Sequence, residues 1–148
     1  MNSSRTIYFD MDGTIANLYE VDSWLDKLRN EDETPYLEAK PLINPLKFQI
    51  LINKIKAKGY KVGVISWTSK GGKSRYNSKV VKAKKEWLAM HFPKVTFDEI
   101  HIVKYGVNKS HVCANPAGIL FDDNESIRDD WRGLAFTPDM IEKVLASL

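Results

Sequence analysis

Apolar residues along this chain gather in runs of strand length: TIYF (6–9), YKVGVIS (60–66), FDEIHIV (97–103), GILF (118–121) and GLAF (133–136). Between several of them the apolar spacing changes to a helical one. The stretch NPLKFQILINKIKAKG (44–59) carries its own boundaries: Asn44 suits an N-cap, Pro45 the first helical turn and Gly59 the position after the last, with Leu51 and Ile55 on the buried stripe. A second helix is expected from Ser78 to His91, where Val80, Val81, Trp87 and Leu88 have helical spacing. Thr137 and Pro138 open a terminal helix with Ile141, Val144, Leu145 and Leu148 on one face. Strands alternating with helices in this order predict an α/β fold, a parallel sheet wrapped by helices.

Residues 15–41 interrupt that alternation, because they follow a strand directly and are too many for a βα turn of a few residues. Val21, Trp24, Leu25 and Leu28 follow the i, i+3, i+4, i+7 spacing of a short helix, and the polar stretch NEDETP breaks it. The expected organisation is one core built from 1–14 and 42–148, with 15–41 as a small helical cap inserted into it.

Ligands of parallel α/β sheets gather outside the carboxyl ends of the strands. Here those ends carry Asp10 with Asp12, Ser66, the region from Lys104 to Lys109, and Asp122 with Asp123. Four converging carboxylates repel one another unless a cation sits among them, and hard oxygen ligands suit Mg²⁺. A lysine and a hydroxyl alongside would complete a cradle for a phosphoryl group. Asp10, directly after the strand, is placed to attack phosphorus and form an aspartyl-phosphate; Asp12, two residues on, to protonate the leaving oxygen and later deprotonate water. Gly13 lets the chain turn away sharply, and Thr14 can hold that turn through local backbone bonds.

The motif DMDGT after an apolar strand, a strand ending in Ser66, a downstream lysine and ILFDDN after a further strand resemble, in order along the whole chain, the four motifs of the haloacid dehalogenase superfamily of phosphohydrolases. The resemblance implies a three-layer, Rossmann-like core with Asp10 as nucleophile and Asp12 as general acid and base. It places Ser66, a lysine, Gly13 and Thr14 around the phosphate, and Asp10, Asp12, Asp122 and Asp123 around Mg²⁺, with Asp123 ranked above Asp122 as a direct ligand. In VISWTSK, Ser66 is preferred to Thr68 and Ser69 because the apolar strand stops there; Lys109 in GVNKSHV is preferred, with Lys104 and Lys85 as alternatives. An aspartate at position 12 implies phosphate-ester hydrolysis or transfer, because dehalogenase and phosphonatase members lack it. The 5'(3')-deoxyribonucleotidases are similar in their DMDG start, a K-x-x-W helix like KKEW (84–87) and the paired aspartates, but their cap is much longer. A nucleotide or another small phosphorylated metabolite is thus the expected substrate. The alternatives are a phosphotransferase, a phosphatase acting on a nucleic-acid end, and a silent phosphate-binding module.

With 148 residues and 43% apolar content, the chain is long enough for one domain with a real core. A net charge of +3 and the lack of a basic arm disfavour a nucleic-acid partner. The basic stretch 69–85 reads as a solvated loop and helix face, although Lys70, Lys73 or Arg75 could meet substrate; it lacks the spacing of a nucleotide-binding P-loop. No apolar run approaches the roughly 20 residues that span a bilayer. The lone Cys113 and a start without a charged-then-apolar leader predict a reducing, cytoplasmic setting. His91, His101 and His111 lack paired metal spacing, which disfavours zinc, and Asp129 and Asp130 read as a solvated helix face. Nothing in the sequence sets the oligomeric state.

Overall fold

A computed structural model of the protein describes residues 5–148; the first four residues, assigned above to the core, lie outside the described residues. In chain order the elements are β1 (Thr6–Phe9), β2 (Ala16–Asn17), α1 (Trp24–Arg29), α2 (Thr34–Glu38), β3 (Lys40–Pro41), α3 (Pro45–Ala57) and β4 (Lys61–Trp67). Then follow α4 (Ser74–His91), β5 (Glu99–Val103), β6 (Ile119–Phe121), α5 (Glu125–Asp130), β7 (Ala135–Phe136) and α6 (Ile141–Ser147). Five strands form one parallel sheet in the order β5-β4-β1-β6-β7, so the architecture is α/β. Among the described residues no helix is long and apolar enough to cross a membrane.

Side-chain alternation divides the central strand between two cores. Ile7 and Phe9 face a large cluster with Phe48 and Ile52 of α3, Trp87 and Leu88 of α4, and Ile141 and Leu145 of α6, whereas Tyr8 turns to the opposite face with Ile65, Leu120 and Trp131. Phe9 stacks on Phe121 of β6 at 5.3 Å between ring centres and meets Phe48 edge-on at 5.1 Å. That packing holds Phe9 opposite Phe121, so the next residues, Asp10 and Asp122, leave their strands side by side.

The two faces are covered unequally. A three-layer reading expects long helices on both, but the chain from β5 to β6 crosses with only a single 3₁₀ turn, Lys109–His111, and α5 is six residues long. The connecting sequence YGVNKSHVCANPAG contains Gly106, Pro116 and Gly118, which do not sustain a helix. Further differences are local. Helix α4 begins at Ser74, a turn earlier than the apolar spacing indicates; Val81 and Leu51 are only half-buried; and the fifth strand shrinks to two residues.

Residues 15–41 begin and end in a two-stranded antiparallel ribbon, β2 with β3, and carry α1 and α2 between them. Leu18 and Tyr36 pack with Tyr76, Val80 and Ala83 of α4, while Leu25 is 41% exposed and stands at the rim of a cavity. Trp87, fully buried in α4, donates its indole N–H to the carbonyl of Ala39 at 2.7 Å and so ties the end of the insertion to the core.

Replacing that indole by a phenyl ring leaves a buried carbonyl without its donor. Trp87→Phe is expected to lower the unfolding free energy by about 1–3 kcal/mol, read from a shifted urea midpoint at unchanged slope; an unshifted midpoint would contradict the anchoring role of this bond.

Candidate active site

The sheet order places β4 on one side of β1 and β6 on the other, so the chain's direction of travel reverses at the β1–β6 junction, where a crevice opens at the strand ends. Asp10 closes β1 there, its N–H bonded to the carbonyl of Phe121 at 2.9 Å. The following turn is tight: the carbonyl of Met11 accepts the N–H groups of Thr14, Ile15 and Ala16 at 2.9–3.0 Å, and Gly13 adopts φ +81°, where a side chain is strained. A Cβ at position 13 would also overlap the carboxylate of Asp123, which packs directly on this glycine.

Two buried lysines organise the carboxylates. Lys109, 3% exposed, donates to Asp10 Oδ1 at 2.9 Å and to Asp122 Oδ2 at 2.7 Å, and its ammonium lies 5.6 Å from the centre of the Trp67 ring. Lys84, 1% exposed, donates to Asp12 Oδ2 at 2.8 Å, Ser66 Oγ at 2.8 Å and the carbonyl of Trp67 at 2.7 Å. Thr14 donates its hydroxyl to Asp10 Oδ2 at 3.1 Å and accepts the N–H of Asp123 at 3.2 Å, which links the β1 and β6 loops. Asn124 caps α5 by accepting from Ile127, and Asp122 Oδ1 accepts the N–H of Asn124, so the carboxylate of Asp122 is held from both ends.

Oxygens of Asp10, Asp122 and Asp123 all lie within 4.8 Å of one another, a grouping that could hold a metal ion. Burial raises the carboxyl of Asp122 to about 6 and that of Asp123 to about 7, and the neighbouring charge of Asp10 adds to both. Burial likewise raises Asp12, against the pull of Lys84. For Lys109, burial favours the neutral amine, but Asp10 and Asp122 outweigh it and raise the ammonium. With all four carboxyls ionised, they face two ammonium groups and leave an excess of two negative charges, the charge that one divalent cation balances.

The structure thus brings together Asp10, Asp12, Ser66, Lys109, Asp122 and Asp123. Three placements differ from the sequence reading. The carboxylate of Asp12 is paired with Lys84 and stands outside the three-carboxylate group. Gly13 and Thr14 do not present donors to a phosphate: their N–H groups go to the carbonyls of Ala16 and Met11, and the threonine hydroxyl serves Asp10 and Asp123. Of the alternative lysines, Lys104 and Lys85 are both exposed.

Lys84, the lysine of the K-x-x-W helix, carries no site role in the sequence reading, and its second signal lies in the spacing. It falls four residues after Val80 and three before Trp87, within the buried stripe of α4, where a lysine needs an anionic or carbonyl partner. The other candidates make no bond to these carboxylates, although Thr68 and Ser69 line the same cavity. Ser69 Oγ bonds the hydroxyl of Tyr36 at 2.9 Å, and Thr68 Oγ1 is buried without a partner. His91 lies tilted against the Trp87 ring at 4.6 Å between centres, and His101 pairs with Glu99 at 2.8 Å. Asp129 and Asp130 are exposed at the end of α5.

Above the carboxylates opens a cavity of about 850 Å³, of a size that takes a drug-sized ligand. Tyr19 and Trp24 meet edge-on at 5.0 Å in the insertion, Trp67 at the end of β4 and Tyr105 after β5 lie 4.7 Å apart, and Tyr36 and Tyr76 complete an aromatic lining. Lys70 and Lys73 border it from the loop before α4, with Lys70 5.9 Å from the Tyr105 ring; Arg75 does not reach it.

The raised carboxyls have a thermodynamic consequence. A carboxyl whose pKa is higher folded than unfolded stabilises the fold below its unfolded value, and that contribution is lost as pH rises through the folded one. Without a cation the protein is therefore expected to melt at a lower temperature at pH 8 than at pH 5, and a divalent cation that fills the three-carboxylate group at pH 8 to recover the difference. The Asp123→Asn variant is expected to show a smaller pH dependence; an equal dependence in both proteins would assign it elsewhere. No protein-family model matches the chain, and none of the curated proteins compared with it does.

Proposed function

We propose that the protein is a Mg²⁺-dependent phosphomonoester hydrolase of the haloacid dehalogenase type, working through an aspartyl-phosphate at Asp10. The observation that carries this reading is the pairing of two aspartates, two residues apart, with two different buried lysines: Asp10 with Lys109, which also holds Asp122, and Asp12 with Lys84. Both aspartates face the same cavity.

The carboxylate of Asp10 attacks phosphorus, forming an Asp10–O–P bond while the ester P–O bond breaks. The departing oxygen takes a proton from Asp12. Water then attacks the phosphorus of the intermediate and yields a proton to Asp12; the Asp10–O–P bond breaks, releasing inorganic phosphate and restoring both carboxyls. Lys109 uses two of its three N–H donors on Asp10 and Asp122, which leaves one for a phosphoryl oxygen. Mg²⁺, held by Asp10, Asp122 and Asp123, would neutralise the phosphoryl oxygens against the carboxylate that attacks them.

The aromatic lining supports a nucleotide as substrate. A planar base stacks on tyrosine or tryptophan faces with about 1–3 kcal/mol per base, and the cavity runs from the carboxylates to the Trp67–Tyr105 pair.

Mg²⁺-dependent phosphate release from deoxynucleotides, ribonucleotides and sugar phosphates, without an added acceptor, tests the reaction and separates hydrolysis from phosphotransfer. Asp10→Asn is expected to abolish turnover with an unchanged melting profile; turnover by that variant would refute the intermediate. Tyr105→Ala, 44% exposed at the cavity's edge, is expected to raise KM for nucleoside monophosphates by about 5- to 100-fold, from the stacking energy lost. Its KM for a sugar phosphate is expected to stay unchanged. A uniform rise for both would remove the base-stacking assignment.

A further inference from the structure

Lys84 is a charge that a hydrophobic helix face has no packing reason to contain. It sits in α4 between Val80, Ala83, Trp87 and Leu88, is 1% exposed, and drives its ammonium through the apolar stripe to the ends of β1 and β4. An ammonium has three N–H donors. All three are taken, at 2.7–2.8 Å, by Asp12 Oδ2, Ser66 Oγ and the carbonyl of Trp67. The Tyr36 ring of the insertion closes over it, with its centre 4.9 Å from the nitrogen.

Two features separate its role from that of Lys109. It has no donor left for a phosphoryl oxygen, and it does not line the cavity, whereas Asp12, Ser66 and Lys109 do. It stands behind Asp12, away from any substrate. By fixing Oδ2, it leaves Oδ1 of Asp12 as the oxygen free to exchange a proton. The same ammonium pins the Ser66 hydroxyl as an acceptor and ties the end of β4 to the β1 loop.

We propose that Lys84 is the positioning residue for the acid and base Asp12, holding one of its oxygens so that the other meets the leaving group and then the attacking water. The assignment rests on the hydrolase reading above. Lys84 acts on proton transfer and leaves the attack of Asp10 on phosphorus to Lys109.

Aryl phosphates of graded leaving-group basicity separate the two steps, because 4-nitrophenolate departs without a proton and phenolate needs one. In Lys84→Met, a burst of about one equivalent of 4-nitrophenolate is expected to persist, followed by turnover slowed by about 10²-fold or more, the lower range of a general acid–base contribution. Release from phenyl phosphate is expected to slow in the burst itself, so the dependence of rate on leaving-group basicity steepens towards that of Asp12→Asn. Lys84→Arg, which keeps a cation at the site, is expected to restore the wild-type dependence. Lys84→Gln serves the same reading should the methionine variant fail to fold. A uniform fall across the series with the wild-type dependence, in a folded variant, overturns the proposal alone and leaves Lys84 a structural residue. A wild-type protein silent on every member overturns the hydrolase reading, and this assignment with it.

Discussion

The charge balance at the carboxyl ends of β1, β4 and β6 is the constraint from which the rest of the structure follows. Four aspartates converge there, and two lysines reach them from opposite sides of the sheet's end, one on the α4 helix and one on the 3₁₀ turn before β6. Buried ion pairs are poor stabilisers, since well-packed apolar residues of similar volume are often as good or better. A chain needing only a core would therefore fill this junction with leucine or isoleucine. The excess of negative charge that remains points instead to a site whose charge is completed by something it binds.

Local structure is subordinate to that junction. The stacking of Phe9 on Phe121 brings Asp10 level with Asp122, the bare Cα of Gly13 lets Asp123 approach, and the hydroxyl of Thr14 joins the two loops. The insertion is anchored by three bonds: Trp87 to Ala39, Tyr76 to the carbonyl of Asp32, and Tyr36 to Ser69. These hold its α2 end against α4, while Tyr19 and Leu25 on the other side stay exposed at the cavity rim. The paired carboxylates and lysines thus meet at the sheet's end, and the aromatic lining of the cavity comes from the insertion, the end of β4 and the segments that follow β4 and β5.

The sheet and the acidic strand ends were legible because both are local signals. Apolar runs of strand length fix the strands, and a carboxylate immediately after such a run has to emerge at the strand's end. The thin second layer was less legible, because strand alternation carries no information on how a crossover is made; Gly106, Pro116 and Gly118 held the only hint. Thr14 and Gly13 read as phosphate donors because their N–H groups are unassigned until the turn's closure on Met11 and Ala16 is known. The aromatic cavity was illegible for a related reason. Tyr19, Trp24, Trp67 and Tyr105 come from three separate segments, and in sequence each is an ordinary core candidate.

The difference between the two lysines explains why adjacent aspartates diverge. Lys109 is shared between two carboxylates, so Asp10 receives only part of its charge and remains, with Asp122 and Asp123, in a group with anionic excess. Lys84 meets one carboxylate and two neutral oxygens, those of Ser66 and Trp67, so Asp12 has a whole ammonium to itself. A divalent cation entering this junction is attracted to the first group and gains little from the second, which is already neutral as a pair. The two aspartates, only two residues apart, thus stand in different charge environments: Asp10 in an anionic group that could hold a cation, Asp12 in a pair already balanced.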